Sequence, residues 1–375
     1  MNYQKPRAAR PARFGKAKDA NVTIWDSFTF LLVLSYTRKM VQQNADKAIH
    51  EAARAGLTDK LAEMLAMDAS LIDAKGMDAR TPLHCAGTVA VAKLLLDHEA
   101  RIDARDEDHD STPAQWRIGE SPDVARFLLE RGARADIFLA AALGDLPLAE
   151  RLVREDRDCL AHRIGKPPDF PPLGHVGRGG TIYQWTLRFN SYPHQIALMK
   201  GHQAVFDFLY AESDTATQLL VNCVLARRAE AEAIADKHPE IVPDLSDVDR
   251  ELVAKYCWET NTNYDAVKLM LDLGFPVAHP ERSHGYTPLH NAAWAGSGDL
   301  VDLLIARGHP VDIRDPAFDA TPLGYALYDC LVEKRHPEGE FPRVVKALLK
   351  AGSPLKGIKY PTGDAAVDEV LRAFI

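Results

Sequence analysis

The 375-residue sequence predicts an all-α solenoid of about nine stacked helix-turn-helix repeats with hairpin loops between them. The first observation is a recurring phrase: Thr-Pro-Leu begins at Thr81, Thr287 and Thr321, and His follows the first two. The second is the pattern after the phrase, an Ala-rich helical segment, a turn often at Gly, and a second segment ending in a Leu-Leu-like pair. The third observation is the spacing of the copies, which follow one another at a mean step of about 34 residues. A period of this length is typical of solenoids.

Each copy has an anchor residue where its first helix is expected to start. The anchors are Lys47, Thr81, Thr112, Ala135, Tyr192, Thr217, Val253, Thr287 and Thr321. Thr can cap a helix through its hydroxyl, and Pro behind it fills the first helical position, where no N–H is needed. Gly132, Gly308 and Gly352 follow second helices, where a left-handed residue ends a helix. Two short steps of 23 and 25 residues predict that hairpin loops are missing near 133–137 and 212–216.

The phrase and its period resemble the ankyrin repeat family, whose unit has about 33 residues and a Thr-Pro-Leu-His-x-Ala phrase. The resemblance runs from Ala45 to the C-terminus, is most specific at 287–296 (TPLHNAAWAG) and is degenerate in the copies that begin at 192, 217 and 253. It implies that His84 and His290 bond turn backbone in the same or the next copy. An ankyrin array implies a protein partner, bound without a cofactor.

The repeat register divides the chain into six segments. They are a basic tail (1–23), an N-terminal capping helix (24–44), repeats one to four (45–155), a Gly/Pro-rich insertion (156–191), repeats five to nine (192–352) and a C-terminal capping helix (353–375). The apolar stretch 22–36 allows two alternatives, a secretory signal or a membrane anchor. Its apolar centre is shorter than the ~20 residues that span a bilayer, and no small-residue cleavage site follows it. A third alternative is that translation starts at Met40.

Charge and cysteine content narrow the function classes. The net charge of −8 combines +6 over residues 1–18 with −14 over the rest, and an acidic body argues against nucleic-acid binding. The five cysteines include no Cys-x-x-Cys pair, which favours a reducing, cytoplasmic location and argues against a disulfide framework or a zinc site. Cys159 and His162 alone make a weak metal signal. We expect a monomer without metal or cofactor.

The first helices are expected to form a concave surface that carries aromatic side chains. The residues predicted to be exposed there are Trp116, Ile196, Met199, Thr260, Asn291, Trp294, Tyr325 and Tyr328. An aromatic run of this kind is a candidate hot-spot surface for a protein partner. The alternative is that the rings pack on neighbouring loops.

The hairpin tips add charge of both signs with an acidic excess. The predicted contact residues are Lys75, Arg80, Arg105, Glu107, Arg282, His284 and Arg314, and they stand beside Asp78, Asp106, Asp110, Glu281, Asp315 and Asp319. Such tips suit a protein partner with a basic patch. Asp110 and Asp319 also stand where the ankyrin unit usually has Gly, and Asp tolerates a left-handed turn.

The insertion supplies the competing function. Its candidate residues are His175, Arg178, Tyr183 and Trp185, and long loops in repeat arrays are often functional. The alternative is a surface loop held against the solenoid by Tyr183 and Trp185. The chain shows no recognised catalytic spacing, so we predict a non-catalytic interaction scaffold. The second hypothesis is an enzyme, or a regulator or inhibitor of one, whose activity centres on 156–191.

Overall fold

The computed structural model describes residues 44–165, 180–258, 262–282 and 284–375. All secondary-structure elements in these ranges are helices. The all-α prediction is therefore confirmed. The predicted tail and the N-terminal capping helix, with the apolar stretch 22–36, lie outside the described residues.

The described helices follow the predicted order of paired repeats. Copies one to three comprise α1 (44–54), α2 (Thr58–Met67), a short 3₁₀ helix (Pro82–Cys85), α3 (Val89–Asp97), α4 (Pro113–Glu120) and α5 (Pro122–Glu130). Copies four to six comprise α6 (Ile137–Leu143), α7 (Leu146–Glu155), α8 (Pro193–Met199), α9 (Gln203–Glu212), α10 (Thr215–Val224) and α11 (Arg228–Lys237), followed by the one-turn helices α12 (Ile241–Asp244) and α13 (Asp247–Arg250). Copies seven to nine comprise α14 (Leu252–Lys255), α15 (Tyr264–Asp272), α16 (Pro288–Trp294), α17 (Gly298–Ala306), α18 (Pro322–Tyr328) and α19 (Phe341–Lys350), and α20 (Ala365–Arg372) follows.

The helices stack in two layers. First helices pack on first helices of the next copy, as α16 does on α18, and second helices pack on second helices, as α17 does on α19. Alanines such as Ala292 and Ala293 keep the first helices thin, while Val301 and Leu304 fill the space between the layers. The buried side chains form one continuous apolar core along the described array.

Helix caps correct three predicted anchors, and a fourth anchor, Lys47, lies inside α1 instead of at its start. Thr112 and Thr321 cap their helices as expected, with Oγ1 accepting from the backbone N–H three residues on. In copies four and six the cap is an aspartate instead, Asp136 rather than Ala135 and Asp214 rather than Thr217. In copy seven the residue at the N-cap is Glu251, not Val253. A carboxylate accepts the free N–H groups of a first helical turn as well as a hydroxyl does.

His84 and His290 have the structural role that the resemblance implied. His84 Nδ1 accepts from the Thr81 N–H at 3.0 Å, and Nε2 lies 3.1 Å from the Ser111 carbonyl oxygen in the next copy. His290 makes the same two contacts, at 3.2 Å with the Thr287 N–H and 3.1 Å with the carbonyl oxygen of Ala320 in the next copy. Each ring therefore ties its own helix cap to the following hairpin.

The turn residues also behave as predicted. Gly132, Gly308 and Gly352 have φ values of 94°, 81° and 95°, in the region that favours glycine. Asp110 and Asp319 adopt φ values of 46° and 53° at matching hairpin positions. The terminal helix α20 begins after Asp364, whose Oδ1 accepts from the Val367 N–H at 2.9 Å.

The insertion begins later than the predicted residue 156. Residues 157–161 form a 3₁₀ helix capped by Asp156, as residues 69–73 do after α2, where Asp68 is the cap. Leu160 is buried at the end of copy four as Leu71 is at the end of copy one. This segment therefore belongs to the repeat, and the extra chain follows it.

Candidate functional site

Three aromatic side chains form a row across copies seven, eight and nine. The ring centroids of Trp258 and Trp294 are 6.3 Å apart with planes 17° from parallel, and those of Trp294 and Tyr328 are 6.0 Å apart. Tyr328 is 48% exposed, and both tryptophans are half-buried. We call Trp258, Trp294 and Tyr328 the aromatic row. Large, partly exposed rings held in fixed positions are the side chains that most often dominate protein interfaces.

Tyr325 is buried behind the aromatic row and packs against it, so it is not part of the exposed surface. It was predicted to be exposed, but it is buried, with its ring centroid 5.6 Å from that of Trp294 and 5.2 Å from that of His290. Tyr286 packs against its other side at 5.4 Å. Burial raises the pKa of the Tyr325 hydroxyl, so the ring stays neutral. The support fixes the position of Trp294.

Trp258 was missed by the sequence analysis because the register of copy seven was set two residues too late. Thr260, which was predicted in its place, lies outside the described residues. Trp258 follows the N-cap Glu251 by seven residues, as Trp294 follows Thr287 and Tyr328 follows Thr321. An anchor at Glu251 would have placed this tryptophan in the row.

Position within the first helix decides whether a predicted contact residue is exposed. Ile196 and Asn291 stand four residues after their N-caps, as Tyr325 does, and both are buried, contrary to the prediction. Asn291 Nδ2 donates to the Ala254 carbonyl oxygen at 3.0 Å and so joins copy eight to copy seven. Met199 stands seven residues after its N-cap and is 52% exposed. The fourth position lies between neighbouring copies, and the seventh lies at the end of the helix.

Trp116, also at a fourth position, packs on neighbouring loops as the alternative interpretation proposed. Its Nε1–H donates to Asp106 Oδ1 at 3.1 Å. The guanidinium carbon of Arg80 lies 4.6 Å from the ring centroid. Arg80 was predicted as a free loop tip, but its side chain is only 11% exposed and 3.7 Å from the Asp78 carboxylate. Both residues therefore join copy two to copy three.

The other charged loop tips are paired with one another. The N–O distances within these pairs are Lys75–Glu107 at 3.4 Å, Arg105–Asp110 at 3.1 Å, Arg282–Glu251 at 2.6 Å, Arg314–Asp319 at 3.5 Å and His284–Glu281 at 3.7 Å. The pairs Lys75–Glu107 and Arg314–Asp319 are exposed on both sides and contribute little to stability, whereas Asp110, Glu251 and Glu281 are buried. The pairs neutralise Lys75, Arg105, Arg282 and Arg314, so that these cations are not free to bind an anionic ligand.

Three acidic residues predicted at the tips hold the hairpins together instead. Asp106, Glu281 and Asp315 are buried. Asp315 accepts from the Phe318 N–H at 2.7 Å and from the Ala320 N–H at 3.0 Å, which leaves the Phe318 ring exposed at the tip. Buried carboxylates need such donors, because an unpaired buried charge costs several kcal/mol.

The insertion separates its two predicted aromatic contacts. Trp185 is 75% exposed, whereas Tyr183 is fully buried and its hydroxyl donates to Asp136 Oδ2 at 2.7 Å. Tyr183 is therefore part of the core and not a surface contact, and Trp185 does not hold the insertion in place. His175 and Arg178, the other two candidates, lie outside the described residues.

The end of the insertion occupies the place of a missing hairpin. The Ile182 N–H donates to Ser111 Oγ at 3.2 Å, and His109 Nδ1 lies 2.9 Å from the Gly180 carbonyl oxygen. Through Tyr183 the same segment reaches Asp136, the N-cap of α6. Burial raises the pKa of Asp136, and hydrogen bonds from Gln115, Tyr183 and the first turn of α6 oppose the rise. The loop edge predicted to be interrupted at 133–137 is thus filled by later chain.

A cleft of about 220 Å³ lies beside this junction, but it offers no activated nucleophile. Its lining includes Cys159, His162, Arg134 and Glu155. Burial raises the pKa of the Cys159 thiol to about 12, so the reactive thiolate does not form near neutral pH. Within the described ranges no group of three or more His, Cys, Asp or Glu side chains could hold a metal ion. None of the helices described has both the length and the apolar character needed to cross a membrane.

Comparison with known proteins identifies the repeats. A family model for the ankyrin repeat matches residues 78–107, and a model for ankyrin repeats in many copies matches residues 259–305. No curated protein matches the chain. The first match spans the hairpin and cap of copy two, and the second includes Trp294 and most of copy eight. Both are repeat units, and neither is a catalytic domain. Together with the paired helices and capped hairpins, these matches show that the chain contains ankyrin repeats.

Proposed function

We propose that this protein is a non-catalytic interaction scaffold that holds a protein partner on the aromatic row. Ankyrin repeats are typically protein–protein interaction modules. The observation that carries the proposal is the row itself, three rings in contact on three successive copies. Met199 and the exposed hairpin tips extend the surface that such a partner can reach.

The rigidity of the row supports binding. The buried Tyr325 packs against Trp294 and against His290, and His290 is fixed by hydrogen bonds to two successive copies. A side chain that is already held in its bound position loses little conformational entropy on association. The row is therefore organised before any partner arrives.

The setting that we propose is a cytoplasmic one, with the protein as a monomer. All five cysteines are free thiols, and four of them are buried, which fits a reducing compartment. The acidic body favours a partner with a basic patch over nucleic acid.

Affinity purification from cell extract, followed by mass spectrometry, tests this function. The bait is the full chain, the Trp294→Ala/Tyr328→Ala variant, or Trp185→Ala as a matched control that removes an exposed tryptophan elsewhere. We expect one set of partners to be retained by wild type and by the control and lost from the double variant, because aromatic hot spots carry about 2 kcal/mol or more. Equal retention by all three baits, with unchanged thermal unfolding, would refute the proposal.

The exposure of Trp185 favours a second candidate function, in which the insertion contacts an enzyme and regulates it. Trp185 projects from a segment that is itself anchored in the core through Tyr183. The same baits separate the candidates: loss of partners from Trp185→Ala, with retention by the double variant, would assign recognition to the insertion.

A further inference from the structure

We infer that the group that the aromatic row recognises is a basic side chain, arginine first, carried with apolar neighbours on a linear segment of the partner. This inference rests on the proposed function and names the chemistry of the contact. It depends on two observations, the charge of copies seven to nine and the absence, among the described residues, of a cation over the rings of the row.

The copies that carry the row are strongly acidic. Residues 251–343 contain 14 acidic and 8 basic residues, a formal charge of −6. Seven of these eight basic residues, all within the described chain, are already ion-paired with acids of the same range. The pairs are Lys255–Glu281, Lys268–Asp272, Arg282–Glu251, Arg307–Asp272, Arg314–Asp319, Arg335–Glu333 and Arg343–Asp299. The net charge of the copies that carry the row is therefore negative, and it favours the approach of a cationic segment.

Elsewhere in this chain, aromatic rings are covered by the chain's own cations. Arg80 lies over Trp116 at 4.6 Å, and Arg227 lies over Phe206 at 4.5 Å. In the described part of the chain, no arginine or lysine lies over a ring of the row. Trp258, Trp294 and Tyr328 are partly exposed rings on acidic copies, and they are thus open to a cation from outside.

Arginine suits this surface better than lysine. Its planar guanidinium stacks on an aromatic ring, keeps its charge at all working pH values, and is less strongly hydrated than an ammonium. A cation over tryptophan contributes roughly 0.5–2 kcal/mol, depending on how far it is desolvated. Apolar neighbours in the segment would cover the remaining ring surface.

Stacked rings can also bind unpaired nucleic-acid bases, but the charge here opposes that use. Single-stranded nucleic acid needs a positive groove along its phosphates as well as stacking platforms. Seven of the eight cations of residues 251–343 are paired with acids of the same range, and the surplus charge of that range is negative. A peptide is therefore the occupant that we propose.

A random peptide display library, selected on the immobilised full-length protein, tests the inference without a known partner. Peptides that bind the wild-type protein are selected first, and those that also bind the Trp294→Ala/Tyr328→Ala variant are then removed. Tyr328→Ala alone, which changes a half-exposed ring, serves if the double variant unfolds. We expect the surviving sequences to be enriched in arginine beside apolar residues. In synthetic copies, replacing that arginine by citrulline, which keeps the shape and removes the charge, should weaken binding about tenfold, and Trp185→Ala should leave it unchanged.

The outcomes separate this inference from the function on which it rests. Row-dependent peptides without basic residues, or equal binding of arginine and citrulline peptides, would overturn the inference and leave the scaffold function standing. If selection yields no row-dependent peptide, both fail. Row-dependent binding of single-stranded RNA in preference to every selected peptide would also overturn it.

Discussion

At the scale of single residues, the third position after the helix cap carries a polar side chain with two contacts in copies two, three and eight. His84 and His290 accept from the cap N–H with one ring nitrogen and reach the next copy with the other. Gln115 does the same with its amide, accepting from the Thr112 N–H at 2.9 Å and donating to Asp136 at 2.9 Å. An acceptor and a donor at opposite ends of one side chain satisfy two buried backbone or carboxylate groups, which would cost about 1–3 kcal/mol each if unpaired.

This role makes folding sensitive to acid. Burial lowers the pKa of His84 to about 4, so between pH 6.5 and 4 the unfolded chain binds a proton that the folded chain does not. Stability attributable to His84 is therefore complete above pH 6.5 and declines by roughly 3 kcal/mol as the pH falls to 4. The pKa values of His194 and His309 are lowered in the same way.

The variant His84→Gln should reduce this acid sensitivity, because glutamine can make both contacts and does not titrate. We expect the free energy of unfolding, measured with urea at several pH values, to fall less between pH 6.5 and 4 in the variant than in wild type. The two curves should be closest above pH 6.5 and furthest apart at pH 4. Parallel curves over that range would show that His84 does not contribute to the pH dependence.

At the scale of elements, the insertion acts as a structural replacement for a hairpin. Tyr183 is buried and bonded to Asp136, and Ile182 is tied to the hairpin before copy three, whereas Trp185 on the next turn is 75% exposed. One short segment thus carries a core tyrosine and a surface tryptophan. Removing the whole of 156–191 would damage the core, contrary to the expectation that the insertion is a surface loop.

Alanine substitutions at these two aromatic residues should have opposite consequences for folding. Tyr183→Ala removes a buried ring and leaves Asp136 without one of its donors, which should cost about 3–5 kcal/mol of unfolding free energy. Trp185→Ala should change it by less than about 0.5 kcal/mol. Urea denaturation measures the free energy of unfolding of both variants, provided that their m-values are the same. Similar losses of unfolding free energy in the two variants would contradict the packing described for Tyr183.

The sequence predicted the repeat units more reliably than their exact starts. Copies marked by Thr-Pro-Leu were placed correctly, since Thr and Pro have distinct roles at a helix start. Copies four and six were misplaced because aspartate caps them, and copy seven because a four-residue first helix leaves little pattern. Exposure at the fourth and seventh helix positions could not be read from sequence, because it depends on how far the neighbouring copy extends. Because the start of copy seven was placed at Val253 instead of Glu251, Trp258 was not predicted as a contact residue.

At the scale of the whole molecule, each copy contacts mainly its neighbours, so the array is a series of layers that share one core. The copies differ in their surfaces. In copies two and three, aromatic and charged side chains contact each other, and the insertion bridges copies three and four. Copies seven to nine carry the aromatic row and have a net negative charge. The central claim is that this last region binds the partner.

The most direct test is the affinity of a purified partner for the full chain and for Trp294→Ala, measured by isothermal titration calorimetry. We expect at least a thirtyfold increase in Kd for the variant, about 2 kcal/mol, with no change for Trp185→Ala. A Kd within twofold of wild type for a folded Trp294→Ala protein would contradict the claim that the aromatic row is the binding surface.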